Sequence, residues 1–173
     1  MNRPARNGPT LAFDEFGPLE LRPQAGQSWQ PRGQPDRLPA TYTRPHGVQH
    51  WLACYDLHAD QLWGYLRPRK RAREVLDVLQ RIRQRYPPEQ RLHLILDNFS
   101  PHQTPAVLRW CRRANVHPLW TPTNASCLNP IECQFTPVKE FVIRNTFYHD
   151  HASLRRALHR YAGYRNRYAR QKR

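Results

Sequence analysis

The chain has 173 residues, with 28 Lys and Arg against 13 Asp and Glu, a formal charge of +15 at pH 7. Its 39% hydrophobic content, with five Trp, eight Tyr and six Phe, is enough for a core, which excludes wholesale disorder. No apolar run approaches the ~20 residues of a membrane helix, MNRPARNGPT lacks the apolar stretch of a signal peptide, and Cys54, Cys111, Cys127 and Cys133 are too few and too uneven for a disulfide scaffold. The expected class is a basic intracellular domain of one folding unit. All its bases except Lys70, Lys139 and Lys172 are Arg. That balance points to a polyanion, DNA or RNA, bound through bidentate phosphate contacts and counterion release. A GC-rich genome would enrich Arg as well.

In chain order, residues 1–9 read as a loose leader and 11–16 as a short strand. Residues 17–47, rich in Pro, Gly, Gln and Arg, read as an insertion holding a hairpin anchored by Trp29. Strands at 50–55 and 61–66 form a hairpin with Asp56 and Asp60 in its turn. Pro68 opens a helix that runs to Tyr86 and stops at Pro87-Pro88. On it Val75, Leu79, Ile82 and Tyr86 share one face, and Arg69, Arg73, Arg81, Arg83 and Arg85 surround the rest. Residues 92–97 form the clearest strand; its near-continuous apolar run predicts burial on both faces and a central place. A helix at 104–114, a strand at 116–120, a helix from Asn129 to about Asn145 and a last helix from Asp150 towards Tyr168 complete the chain. The order β, β, β, α, β, α, β, α, α predicts an α/β fold with a mixed central sheet of about five strands and helices on both faces. Its β-α-β crossovers should be parallel and right-handed.

With so few acids, their placement is informative. Asp14 follows an apolar triplet, Asp97 ends the most apolar strand, and Glu132 sits near a helix start. Such strand ends and helix starts meet at one edge of an α/β sheet, where sites are usually built. Three carboxylates gathered there repel one another unless cations neutralise them. Carboxylate oxygens suit Mg²⁺ or Mn²⁺, and two such ions serve in-line phosphoryl displacement. Local alternatives stand beside this reading. Asp14-Glu15 has the form of a polar turn, and Asp97-Asn98 that of a strand-ending turn. Asn129-Pro130-Ile131-Glu132 has the form of a capping box, which leaves Glu132 as cap or ligand.

The segments FDEFGPLELRP, LILDNFSPH and WTPTNASCLNPIECQFTPVKEF, in that order, resemble the catalytic domain of bacterial insertion-sequence transposases of the mariner-like superfamily. Thirty-four residues separate Asp97 from Glu132, the spacing that names the DD34E group. The resemblance covers nearly the whole chain, with a catalytic domain at 10–170. It implies a ribonuclease-H-like fold and a triad of Asp14, Asp97 and Glu132 that binds two Mg²⁺ ions, with Mn²⁺ as a substitute. It implies cleavage of DNA at element ends, followed by transfer of the freed 3′-hydroxyl into target DNA. Asn98 and His102 would support the triad or position DNA, although His102 also fits a helix-start turn. Asn129 would aim Glu132. The implied partners are terminal inverted repeats, target DNA and a second copy in a homodimer or higher assembly, and the implied location is the bacterial cytoplasm, at the nucleoid.

Two departures bear on activity. Thirteen residues precede Asp14, so the helix-turn-helix reader of relatives is expected to be absent. The chain then reads as a truncated copy, or as the second half of a split frame whose partner polypeptide reads the DNA. Pro137 is expected to kink the Glu132 helix. Two other functions stay open: a basic DNA-binding fragment that has lost catalysis, and a nuclease that cuts without joining. The tail from residue 151 contains no acid. Ala157, Tyr161, Tyr164 and Tyr168 predict its packed face, while Arg155, Arg156, Arg160, Arg165 and Arg167 would track a DNA backbone. An ordinary solvated helix face has the same pattern. Cys127 and Cys133 fit no zinc-finger spacing, and no phosphate-cradling glycine motif occurs.

Overall fold

A computed structural model describes residues 8–27, 29–35, 37–39, 46–123 and 125–168. Five strands, β1 (Thr10–Glu20), β2 (Val48–Asp56), β3 (Gln61–Arg67), β4 (Leu92–Leu96) and β5 (Val116–Trp120), form one sheet in the order β3-β2-β1-β4-β5. β1 pairs antiparallel with β2 and parallel with β4; β2–β3 is antiparallel and β4–β5 parallel. This is the mixed sheet that the element order predicts. The centre, however, is β1, with β4 beside it. β1 is also longer than expected: past an irregularity between Phe16 and Leu19 it continues to pair with the start of β2.

Strand alternation divides the core into two layers. Phe13, Leu11, Leu52, Cys54 and Leu94 face α1 (Ala72–Arg83) and α2 (Pro105–Arg113), which contribute Val75, Val78, Leu79, Ile82 and Val107. Ala12, Trp51, Ala53 and Leu62 face α3 (Glu132–Val138), a π turn (Lys139–Ile143) and α4 (His151–Tyr168), which contribute Phe135, Val138, Val142, Leu154 and Leu158. Helices thus cover both faces.

The helix ends differ from expectation for local reasons. α1 begins at Ala72, not Pro68, because the Arg71 N–H donates to the Glu74 carboxylate at 3.2 Å and fixes the start there. Arg83, expected on the basic face, is 9% exposed. Its guanidinium donates to the carbonyls of Ala114, Pro87, Pro88 and Gln90, which closes the helix before Tyr86. Pro137, expected to kink the Glu132 helix, lies in its last turn, one residue before α3 gives way at Val138. Having no N–H to give, Pro137 is followed by the π turn, where Arg144 N–H donates to the Lys139 carbonyl.

The last helix opens where expected, with Asp150 accepting from the Ser153 N–H and hydroxyl. Its buried stripe is Leu154, Leu158 and Ala162; of the expected face, Ala157 and Tyr161 pack partly buried against the same layer, whereas Tyr164 and Tyr168, 65% and 44% exposed, do not. The Asn166 side chain pairs with the backbone of Leu62 in both directions, at 2.8 and 2.9 Å, and so fixes α4 to the edge strand β3.

The hairpin turn forms as expected: Asp56 accepts the N–H groups of His58 and Ala59 at 2.8 Å each, and Asp60 adopts φ of 52°. The hairpin expected inside 17–47 does not form among the described residues. Gln24 makes an isolated bridge to Thr146, and Trp29 is fully exposed, so it anchors nothing. Residues 1–7 of the expected leader lie outside the described residues. Pro9 is fixed, its carbonyl accepting the His93 N–H at 3.0 Å.

Candidate active site

Parallel pairing of β1 with β4 sets Ala12 beside Ile95. Two residues further on, where the side chains return to the same face, each strand delivers an acid to the C-terminal edge of the sheet: Asp14 and Asp97. Asn129, 1% exposed, brings the third. Its amide donates to the Phe13 carbonyl at 2.9 Å and reaches Asp14 Oδ2 at 3.4 Å, while its oxygen accepts the Ile131 N–H at 3.4 Å. One side chain thus ties the middle of β1 to the start of α3, whose first residue is Glu132. The residue flanking the helix start is Ile131, with no side-chain cap, so the capping-box geometry is not realised. Among the described residues, the Glu132 carboxylate accepts no hydrogen bond.

Asp14 is pushed from 3.8 up to about 7, first by burial and then by the charges of Glu15, Asp97 and Glu132, with the Glu15 N–H at 2.7 Å pulling the other way. Asp97 is held below its ordinary value, mainly by its hydrogen bond to His102.

His102 is fully buried between two carboxylates. Nδ1 lies 2.8 Å from Asp97 Oδ1 and Nε2 2.7 Å from Glu15 Oε1. Facing an acceptor at each nitrogen, the ring satisfies both as an imidazolium. Burial alone would lower its pKa, but the hydrogen bonds and charges of Asp97 and Glu15 prevail and raise it to about 9. Phe13 and Phe99 pack edge-on against the ring. One Asp97 oxygen is therefore engaged by His102 and the Phe99 N–H. Asn98 donates to the Thr121 carbonyl at 2.8 Å and accepts from Gln103, so it holds the ends of β4 and β5 together.

Glu15 was legible in sequence only as half of a polar turn. Its side chain is 4% exposed and lies 3.8 Å from Lys70, which also stands 4.4 Å over the Phe99 ring. The available signal was strand alternation: an acid after Asp14 points to the buried Phe13 face and needs a cationic partner there. Nothing in the sequence singles out Lys70.

Among the described residues, no three Asp, Glu, His or Cys side chains are gathered closely enough to close on a metal ion as they stand. The donors still fit one. They are oxygens, the preferred donors of Mg²⁺ and Mn²⁺, and a divalent cation would offset both the burial and the neighbouring negative charges that raise the Asp14 pKa. All four cysteines are free, Cys54 and Cys111 buried and Cys127 and Cys133 exposed.

Arg155, Arg156, Arg160 and Arg167 are exposed. Arg165 is turned inward: it pairs with Asp60, donates to Gln134 Oε1 and lies 5.1 Å over the Tyr55 ring. It braces α4 against the β2–β3 turn and leaves the backbone-tracking set, a correction to the expected five.

A five-stranded mixed sheet with helices on both faces is of the ribonuclease-H-like fold class, and here it carries acids within β1, just past β4 and at the start of a following helix. The chain belongs to the DDE superfamily endonuclease family, whose sequence model matches residues 9–155. In structure it is similar to the Mos1 transposase paired-end complex with left transposon end (TM-score 0.66, 20% identity, covering 89% of this chain and 47% of that one). It is likewise similar to the Mos1 mariner paired end complex with Mn (0.66, 19%, 89% and 48%) and to that with Mg (0.63, 16%, 90% and 48%). At these identities the likeness establishes the fold. The chain spans about half the length of these transposases. No curated protein matches the sequence. No helix among the described residues is long and apolar enough to cross a membrane.

Proposed function

We propose that this chain is the catalytic domain of a mariner-like insertion-sequence transposase, which cleaves DNA at element ends and joins the freed 3′-hydroxyl to target DNA. The observation that carries the reading is the placement of Asp14 on β1, Asp97 just past β4 and Glu132 at the start of α3, near enough for the charges of Asp97 and Glu132 to add to burial in raising the Asp14 pKa to about 7. These three residues would hold two Mg²⁺ ions, or Mn²⁺. When bound, the ions would supply Lewis acidity and charge neutralisation to an in-line phosphoryl displacement.

The remaining work falls to positioning. His102 immobilises one oxygen of Asp97 and leaves the other to face the reacting strand. Asn129 fixes Asp14 relative to Glu132. Asn98 steadies the loop after β4. Lys70, 43% exposed in its side chain beside Glu15, offers a cation to a DNA phosphate at the mouth of the site. Arg155, Arg156, Arg160 and Arg167 add backbone contacts. The chain would act on DNA in a homodimer or higher assembly, in the bacterial cytoplasm.

The test uses supercoiled plasmid with a labelled oligonucleotide ending in a free 3′-hydroxyl. With Mg²⁺ or Mn²⁺ the protein should nick the plasmid and attach the label covalently to it, and EDTA should abolish both. Nicking without attachment would identify a nuclease that does not join strands. DNA binding with neither reaction would identify a binding fragment.

A further inference from the structure

Beyond the sheet edge, the π turn and α4 enclose a groove of about 530 Å³, lined among others by Phe141, Tyr148, Arg160, Tyr161 and Tyr164. Its aromatic rings are unusually bare. Phe141 is 78% exposed and Tyr164 65%. Phe141 stacks on Tyr161 with centroids 6.2 Å apart and planes 18° from parallel, and Tyr164 leans on Tyr168 at 4.6 Å. Exposed aromatics grouped in this way mark a binding surface. The surrounding charge is of one sign. α4 carries exposed Arg155, Arg156, Arg160 and Arg167 and no acid, and Glu140 on the π turn is already paired with Arg144 at 2.7 Å.

We infer that this groove receives an unpaired nucleotide of a DNA strand, its base stacked on Phe141 or Tyr164 and its phosphates met by Arg160 and the neighbouring arginines. The inference rests on the DNA-processing reading above. Charge selects the occupant. A second copy docking here would set an acid-free, arginine-rich helix against its own image, and like charges facing each other oppose such docking. A DNA strand brings both the negative charge that the groove lacks and a flat π face to stack on its exposed rings. A paired base does not suffice, because its faces are already covered by its neighbours in the duplex.

The test is a binding measurement in EDTA, independent of catalysis. Two labelled DNAs of equal length are compared by fluorescence anisotropy, one fully paired and one with a short unpaired gap containing 2-aminopurine. Wild type should bind the gapped DNA about tenfold more tightly and quench the 2-aminopurine. Phe141→Ala combined with Tyr164→Ala should erase the preference and the quenching while affinity for paired duplex is unchanged. Both side chains are exposed, so folding should survive, and circular dichroism checks it. Equal affinity of wild type for the two DNAs, or a preference that persists in the variant, overturns the inference and leaves the DNA reading intact. Failure to bind either DNA overturns both. A DNA-free dimer in sedimentation that the same variant dissolves assigns the groove to a second copy instead.

Discussion

Asp97→Asn should lower divalent-metal-dependent nicking and strand joining by about a thousandfold or more, the scale on which a group stabilising transition-state charge contributes. Asn preserves volume, and its amide oxygen can still accept from His102 and from the Phe99 N–H, contacts that Asp97 makes at 2.8 and 3.2 Å. What disappears is the negative charge. The substitution therefore separates charge from shape. Binding to duplex DNA should survive, still falling steeply with salt, because the exposed α4 arginines are untouched. Plasmid nicking rates and anisotropy measured side by side check both halves. A variant that nicks within a few fold of wild type would remove Asp97 from the reacting site.

Replacing His102 by Ala should cost about 3–5 kcal/mol of folding stability, the range for stranding one partner of a buried ion pair. The imidazolium joins Glu15 to Asp97, and without it the Glu15 carboxylate, 4% exposed, keeps Lys70 at 3.8 Å as its nearest cation. The pH dependence distinguishes this charge effect from the loss of packing against Phe13 and Phe99. The folded-state pKa of His102 is raised from 6.5 to about 9, so its stabilisation is complete below pH 6.5 and is lost as the pH rises through about 9. The gap between wild type and variant in urea unfolding, with EDTA present, should narrow over that window. Asp14, raised from 3.8 to about 7, acts in the same direction at lower pH: ionising it in the folded protein costs stability, lost progressively as the pH rises from 3.8 to about 7. A gap that stays constant up to pH 9 would reduce His102 to a packing residue.

The parts of the molecule readable in sequence were those with local or periodic causes. The hydrophobic run before Asp97, the Asp56 and Asp60 turn, the Asp150 helix start, and the places of Asp14 after an apolar triplet, Asp97 after a strand and Glu132 near a helix start all carry their signal within a few residues. What escaped depends on partners far away in the chain. Arg83 and Arg165 look like surface bases until tertiary structure gives them carbonyls from the Pro87 loop and the carboxylate of Asp60. The α4 tyrosines repeat at helical spacing, yet with Asn166 docked on Leu62 the Leu154 and Leu158 stripe is the buried one, and only Tyr161 of the three packs against the core. Glu15 and His102 stand 87 positions apart, and no periodicity links them. Trp29 illustrates the converse, since a large aromatic in a Pro-rich segment suggests an anchor and the chain leaves it in solvent.

The most direct measurement is calorimetric titration of Mn²⁺ into wild type and Asp97→Asn, with and without short duplex DNA, at pH values on either side of 7. Wild type should bind Mn²⁺ more tightly above pH 7 than below it, because Asp14 must lose its proton to serve as a ligand. Asp97→Asn should show no specific binding under any of these conditions. Equal binding by the two proteins, or none by wild type above pH 7 with DNA present, would contradict a carboxylate metal site built from Asp14, Asp97 and Glu132.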